Sequence, residues 1–214
     1  STSRRQRQMC IRDSFLGVRS VCPSATMKVI YTNSWASIDL EKEAAESLIA
    51  DGCVLISQHA DTTGASTACE KAGVPIVGYN VSMIATAPTQ ALTSASIDWG
   101  PYYTYAVKSV IDGTKIDTDW CKGYDDGADK ITELNDKAIA KGTKEKVKEV
   151  EDAIKDGSLH VFDTSTFTVD GKELDSWKDD NGNEYIKDGY FHESELHSAP
   201  AFAINIDGIE SVEK

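Results

Sequence analysis

A doubly wound α/β lobe is the fold class this sequence predicts, on three observations. From Phe15 onward, short apolar runs that suit strands alternate with helical patterns at the spacing of βαβ units. Runs such as 27–32 (MKVIYT) and 53–57 (CVLIS) are apolar at nearly every position, as expected for parallel strands covered on both faces by helices. With 214 residues, 40% hydrophobic and 27% charged, the chain has material for one good-sized core or two small ones.

The elements follow in order. Residues 11–21 form a helix that Pro23 ends, and residues 27–32 form the first strand. Ser37 caps a helix over 39–51, with Leu40, Ala44, Leu48 and Ile49 on one face and Gly52 at its end. Residues 53–57 are the next strand. A short helix over 63–72 packs through Ala65, Ala68, Cys69 and Ala72, and Gly73 releases the chain into a strand over 75–79. These β-α repeats imply right-handed crossovers. Residues 91–96 are a further strand. Pro101 then suits the first turn of a helix whose inward side is Tyr103, Ala106, Val107, Val110 and Ile111, ended by Gly113. The Asp- and Gly-rich stretch 123–129 reads as loop. Residues 143–156 are a charged amphipathic helix with Val147, Val150, Ala153 and Ile154 inward and Gly157 as terminator, followed by a short strand over 159–162. From 163 to 214 the pattern alternates and is rich in turns, and Asn181-Gly182 suits a hairpin, so this tail reads as a β-rich extension.

Composition narrows the function. The formal charge of -13 and the pI near 4.7 argue against a nucleic-acid partner, because phosphate neutralisation needs clustered Lys and Arg. No stretch has the length and apolarity of a membrane span, and no secretion signal is visible. Cys10, Cys22, Cys53, Cys69 and Cys121 contain no C-x-x-C pair, and the reading is of small buried residues rather than a zinc site or disulfide framework. Residues 4–13 (RRQRQMCIRD) resemble a reading frame of a transposase sequencing adapter, so residues 1–14 are expected to be a non-native leader. The competing reading is a basic nucleic-acid arm. An adapter there would place the natural N-terminal part upstream of Phe15.

In an open parallel sheet, ligands bind beyond the carboxyl ends of the strands. There this sequence carries Asn33, Ser34 and Trp35, then 58–64 (QHADTTG), then Asn80, Val81 and Ser82. Hydrogen-bonding side chains beside one large aromatic suit a polar, ring-bearing small molecule. Each residue also has a plainer reading. Trp35 can be a half-exposed packing residue, and His59 with Asp61 a helix-entry hydrogen bond. Thr62 or Thr63 is expected to be an N-cap whatever else it does. Asp98 and Trp99 read best as the lead into the next helix.

Segments 15–24 (FLGVRSVCPS), 31–35 (YTNSW), 58–64, 73–80 (GVPIVGYN), 92–103 with its WGPYY, and 154–162 (IKDGSLHVF) resemble, in order and spacing, the basic membrane protein (BMP) family of nucleoside receptors. These are solute-binding proteins of bacterial ABC importers. The resemblance implies a periplasmic-binding-protein type I-like fold, mostly one lobe here, with residues 15–162 as a partial ligand-binding domain. It also implies an ABC permease as partner and an extracytoplasmic, lipid-anchored parent protein. With one wall of the cleft absent, the 214 residues alone are expected to bind ligand only weakly. By the resemblance, Trp35 falls where an aromatic stacks on a purine base, and residues 59–63 where a loop approaches the sugar. Asn80 stands where the family's purine-nucleoside receptors usually have an Asp on the ribose hydroxyls, and Ile97 where they usually have a Lys. Both charged contacts are absent, and His59 with Asp61 is a candidate replacement pair. The expected ligand-binding set is Asn33, Trp35, His59, Asp61, Thr62 and Asn80, lining one wall of a crevice because all follow strands of one sheet.

No cofactor or catalytic residue is expected, for the sequence has no P-loop, dinucleotide fingerprint or G-x-S-x-G. His192, Glu193, Glu195 and His197 (HESELH) lack the one-turn spacing of a helical zinc motif, and 179–184 (DDNGNE) lacks the glycine placement and distal glutamate of a calcium loop. The leading reading is therefore a solute-binding component for a nucleoside-like ligand. The runner-up is a sensing module of the same fold that feeds a regulator, and an α/β enzyme is the remote third.

Overall fold

The computed structural model describes residues 2–195, 202 and 204–212, with side chains from residue 10 onward. The chain divides into two compact units. One comprises Ser1–Val29, Asp117–Cys121 and Gly157–Ser211, and the other Ile30–Ile116, Lys122–Asp156 and Val212–Lys214.

The second unit holds the α/β core. Its four-stranded sheet has the order β2 (Ile56–Ser57), β3 (Ile76–Tyr79), β4 (Ala91–Ile97), β5 (Asp129–Ile131). β2, β3 and β4 run parallel, and β5 is antiparallel to β4. α2 (Ile38–Ala50) and α3 (Gly64–Ala72) follow the sequence pattern closely. Ser37 caps α2 by accepting the Leu40 N–H, and Gly73 ends α3 in the left-handed conformation at φ 71°. Ala45, Ile56, Ala65, Ala68, Cys69, Ile76, Met83, Ala87 and Ala91 form the core. Mostly small side chains here let α2 and α3 lie close to each other. At Gly64 the approach is closest, since a Cβ would overlap the Ile38 carbonyl of α2.

Several expectations need correction. The strand at 53–57 shrinks to Ile56–Ser57, leaving Val54 81% exposed. Leu40 and Ala72 are exposed rather than packed. α4 (Gly100–Asp112) starts at the expected proline and ends at Gly113, but its apolar side is turned out: Tyr103, Val107, Val110 and Ile111 are all exposed. α5 (Thr143–Lys155) does place Val147, Val150, Ala153 and Ile154 on its less exposed side, though none is fully buried. Loop 123–129 is loop up to Asp129, where β5 begins. Of the cysteines only Cys69 is buried, and desolvation pushes its thiol up to about 11; Cys22 is exposed.

The first unit is built around α1 (Thr2–Val21), longer than the expected helix because the basic run before residue 11 is helical too. Phe15 and Leu16 of α1 pack with Phe162, Phe167, Tyr185, Ile186, Phe191, Phe202, Ile204 and Ile206. Buried Arg12 donates to the Ile204 carbonyl and, at 3.1 Å, to Asn205 Oδ1. β1 (Met27–Val29) is shorter than the expected 27–32 strand and pairs in parallel with β8 (Ile209–Ser211) in a sheet of its own. The expectation that β1 joins β2 and β3 in one sheet is thus overturned. The short strand at 159–162 is a turn instead, with only Asp163 bridging to Tyr190. Apart from β8, the tail pairs within itself: β6 (Ile186–Lys187) meets β7 (Tyr190–Phe191), and Lys178 bridges Glu184 around Asn181 and Gly182, the latter at φ 82°. Within HESELH, His192 Nδ1 bonds Glu195 and Nε2 lies 3.1 Å from the Lys187 carbonyl. His197 lies outside the described residues.

Candidate ligand site

The parallel pairing of β2 with β3 matches Ile56 to Ile76 and Ser57 to Val77, and the Gln58 N–H donates to the Val77 carbonyl at 3.0 Å. Both chains therefore leave the sheet at the same edge. Asn80 leaves β3 in the left-handed conformation, φ 68°, with its N–H on the Ala95 carbonyl of β4. Asn tolerates this conformation better than most residues because its short amide can bond locally. Asn33, at φ 55°, turns the chain in the same way after β1. Ser96 Oγ donates to the Asn80 carbonyl at 2.8 Å, which fixes the Asn80 backbone from the neighbouring strand.

His59 lies between the two strand ends. Its Nε2 is 3.5 Å from Ser57 Oγ, and its ring meets that of Tyr79 edge-on at 5.8 Å. His59 is thus next to the residue that precedes Asn80. Trp35, 52% exposed, comes to the same loop by its backbone: the Asp61 N–H donates to the Trp35 carbonyl at 3.0 Å. Asp61 is exposed and Thr62 half-buried. The contacts therefore join Trp35, Asp61 and Thr62 into one cluster and set His59 beside the β3 exit that carries Asn80. Asn33 is exposed, two residues before Trp35, and the bond that closes its turn is Thr32 Oγ1 to the Ser34 carbonyl at 3.1 Å.

Two residues outside the expected ligand-binding set, Glu41 and Gln58, organise this cluster. Glu41, buried at 3% exposure, lies on the packed face of α2. Its carboxylate accepts from the Ser37 N–H at 3.3 Å, Gln58 Nε2 at 3.3 Å, the Thr62 N–H at 3.2 Å and Thr62 Oγ1 at 2.6 Å. Gln58, also buried, donates from the same Nε2 to the carbonyls of Ala60 and Thr62. Its Oε1 is buried with no hydrogen-bond donor among the described residues. The Thr62 hydroxyl in turn accepts the Gly64 N–H at 3.2 Å, so Thr62 caps α3 while Thr63 occupies the cap position without a side-chain bond. The missed signal was a carboxylate among Ala44, Ala45 and Leu48 on the inward face of α2, where a buried charge requires partners.

At the end of β4, Asp98 does lead into α4. Its Oδ1 accepts the Gly100 N–H at 2.8 Å and its Oδ2 pairs with Lys130 at 2.7 Å. The Lys130 hydrogen bond and then the Gly100 N–H hold the Asp98 carboxyl below the usual range. Ile97 pairs with Asp129 across β4 and β5, so the apolar residue noted in the sequence is a strand-end position, with Lys130 committed to Asp98 beside it.

A purine-binding protein of Brucella abortus is 34% identical over 163 residues, 76% of this chain and 46% of that protein. A candidate ABC transporter glucose-binding protein of Haloferax volcanii is 33% identical over 160 residues, 74% of this chain and 40% of that protein. The chain thus spans less than half the length of these curated relatives. Among solved structures, an ABC transporter solute-binding protein from Conexibacter woesei superposes with a TM-score of 0.54 at 21% identity, over 67% of this chain and 49% of that one. A transcriptional activator of the comK gene from Bacillus halodurans also gives 0.54, at 15% identity, over 60% and 46%. At such identities these two establish the shared fold alone. The profile of the Bmp family, described as ABC transporter substrate-binding protein PnrA-like, matches residues 12–160, well over half of the sequence, and the chain belongs to this family.

Proposed function

We propose that this protein binds a nucleoside or nucleoside-like molecule as the solute-binding component of an ABC importer and delivers it to a membrane permease. The observation that carries the reading is the convergence of Trp35, Asp61 and Thr62 at the loop after β2, with His59 beside the Asn80 exit of β3. Asn33, Trp35, His59, Asp61, Thr62 and Asn80 are the proposed contacts, within a ligand-binding segment of residues 15–162. One relative is named for a purine and another for glucose, and a nucleoside unites a flat base with a sugar. An indole face suits the base, while an amide, a hydroxyl and a carboxylate suit sugar hydroxyls. We place the working protein outside the cytoplasm, anchored as a lipoprotein, and assign it no catalysis. No described helix is long and apolar enough to cross a membrane.

Run on the intact parent protein, a calorimetric panel of adenosine, inosine, guanosine, adenine and glucose tests the assignment. Binding to at least one nucleoside is expected, weaker than in a relative with Asp and Lys at positions 80 and 97. Silence across the nucleosides with a clear glucose signal overturns it.

A further inference from the structure

We infer that Glu41 is the positioning residue of the ligand site, a buried carboxylate that holds the Trp35 turn and the loop over 58–63 in one arrangement. The inference rests on the functional reading above for its ligand and on the geometry alone for its mechanism.

The hydrogen bonds close a ring. Trp35 accepts from the Asp61 N–H; the adjacent Thr62 N–H donates to Glu41, and Glu41 also takes the N–H of Ser37, two residues beyond Trp35. Each segment in the ring is anchored twice. Ser37 caps α2 with its hydroxyl, and Thr62 caps the entry to α3 with its own. Gln58 spans the ring from inside, joining Glu41 to the carbonyls of Ala60 and Thr62. Glu41 therefore takes donors from the start of α2, the end of β2 and the start of α3, at 3% exposure.

The chemistry calls for a carboxylate. All four donors point N–H or O–H groups at its oxygens, and a carboxylate accepts at both without presenting a hydrogen. An amide at this position would turn its NH2 toward some of those donors. Loss of one buried acceptor leaves the donors unsatisfied and frees the loop to find water. A site held within about 0.5 Å of its binding geometry loses affinity when such support is removed.

Two measurements test this. In the unaltered protein, hydrogen exchange at the Asp61 and Thr62 amides should be at least about 100-fold slower than in an unfolded chain, as expected of amides held by structure rather than by water. Exchange there at the unfolded rate overturns the inference whatever any variant does. In Glu41→Gln, those amides should exchange at least tenfold faster and the adenosine affinity of the intact parent protein should fall about tenfold, while β4 amides such as Ser94 keep their protection. Equal loss of protection in β4 would mean a general structural role and overturns positioning. So would unchanged exchange at Asp61 and Thr62. Should the intact parent protein bind no adenosine or other nucleoside, the functional reading fails while the exchange result still decides the role of Glu41.

Discussion

Gly64 sits where the start of α3 runs beneath the first turn of α2, and a methyl group there would overlap the Ile38 carbonyl. The obstacle is backbone, which cannot swing aside as a flexible side chain can. Gly64 also neighbours the Thr62 cap and, through it, Glu41, so a shift of α3 reaches the site as well as the core. Gly64→Ala should destabilise the protein by about 1–3 kcal/mol, the usual cost of forcing atoms into a packed region. Chemical denaturation checks this against Gly73→Ala, whose penalty comes from a positive φ with nothing within 4 Å of a Cβ. A Gly64→Ala variant as stable as the parent would mean the helices can separate freely. The role of Gly64 is not visible in its immediate sequence. Gly73 was legible because a terminator follows an apolar stripe, whereas Gly64 depends on a neighbour more than twenty residues away.

At the scale of elements, legibility followed whether an element's own sequence decides its environment. Caps and stops did so: Ser37, Gly73, Pro101 and Gly113 lie where local chemistry requires them. Burial did not. The spacing of Tyr103, Val107, Val110 and Ile111 states that α4 has an apolar face, but only a packed neighbour makes that face a core. The same holds for β2, where an expected strand of five positions gives a paired strand of two. The candidate site divides in the same way. Strand-end positions such as Trp35, Gln58, His59 and Asn80 could be read from the order of elements, while Glu41 and its bond to Gln58 could not, since these partners are set by how α2, β2 and α3 come together. For α4 the consequence is measurable. Val110→Ser and Ile111→Ser, at 71% and 77% exposure, should each change stability by less than about 0.5 kcal/mol, as surface substitutions do. A loss above about 2 kcal/mol for either would show that the face is covered in solution.

Over the whole molecule, two cores of opposite character divide the apolar residues. One is rich in alanine and sits against the four-stranded sheet; the other is aromatic and joins α1 to residues of the tail. The sequence announced the tail's turns but not its union with the first helix, because a contact between residues near 15 and near 200 leaves no local period. In the aromatic core Phe191 is fully buried and meets Tyr185 at 5.1 Å, Trp177 at 5.3 Å and Phe202 at 4.7 Å between ring centroids. Phe202 stacks on Phe162 at 4.3 Å, so removing Phe191 strips one face of a connected group of rings. Short strands of two or three residues contribute few backbone bonds in this unit, which leaves side-chain packing as its main support. Phe191→Ala should therefore cost about 3–5 kcal/mol, from the lost transfer energy and the cavity together. The cost should be felt across the unit, because Phe15 and Leu16 belong to the same cluster. Hydrogen exchange on the variant is expected to show faster exchange in the second half of α1 as well as in β6 and β7. Unchanged protection of α1 with loss confined to the tail would mean that the helix is held by something other than this core.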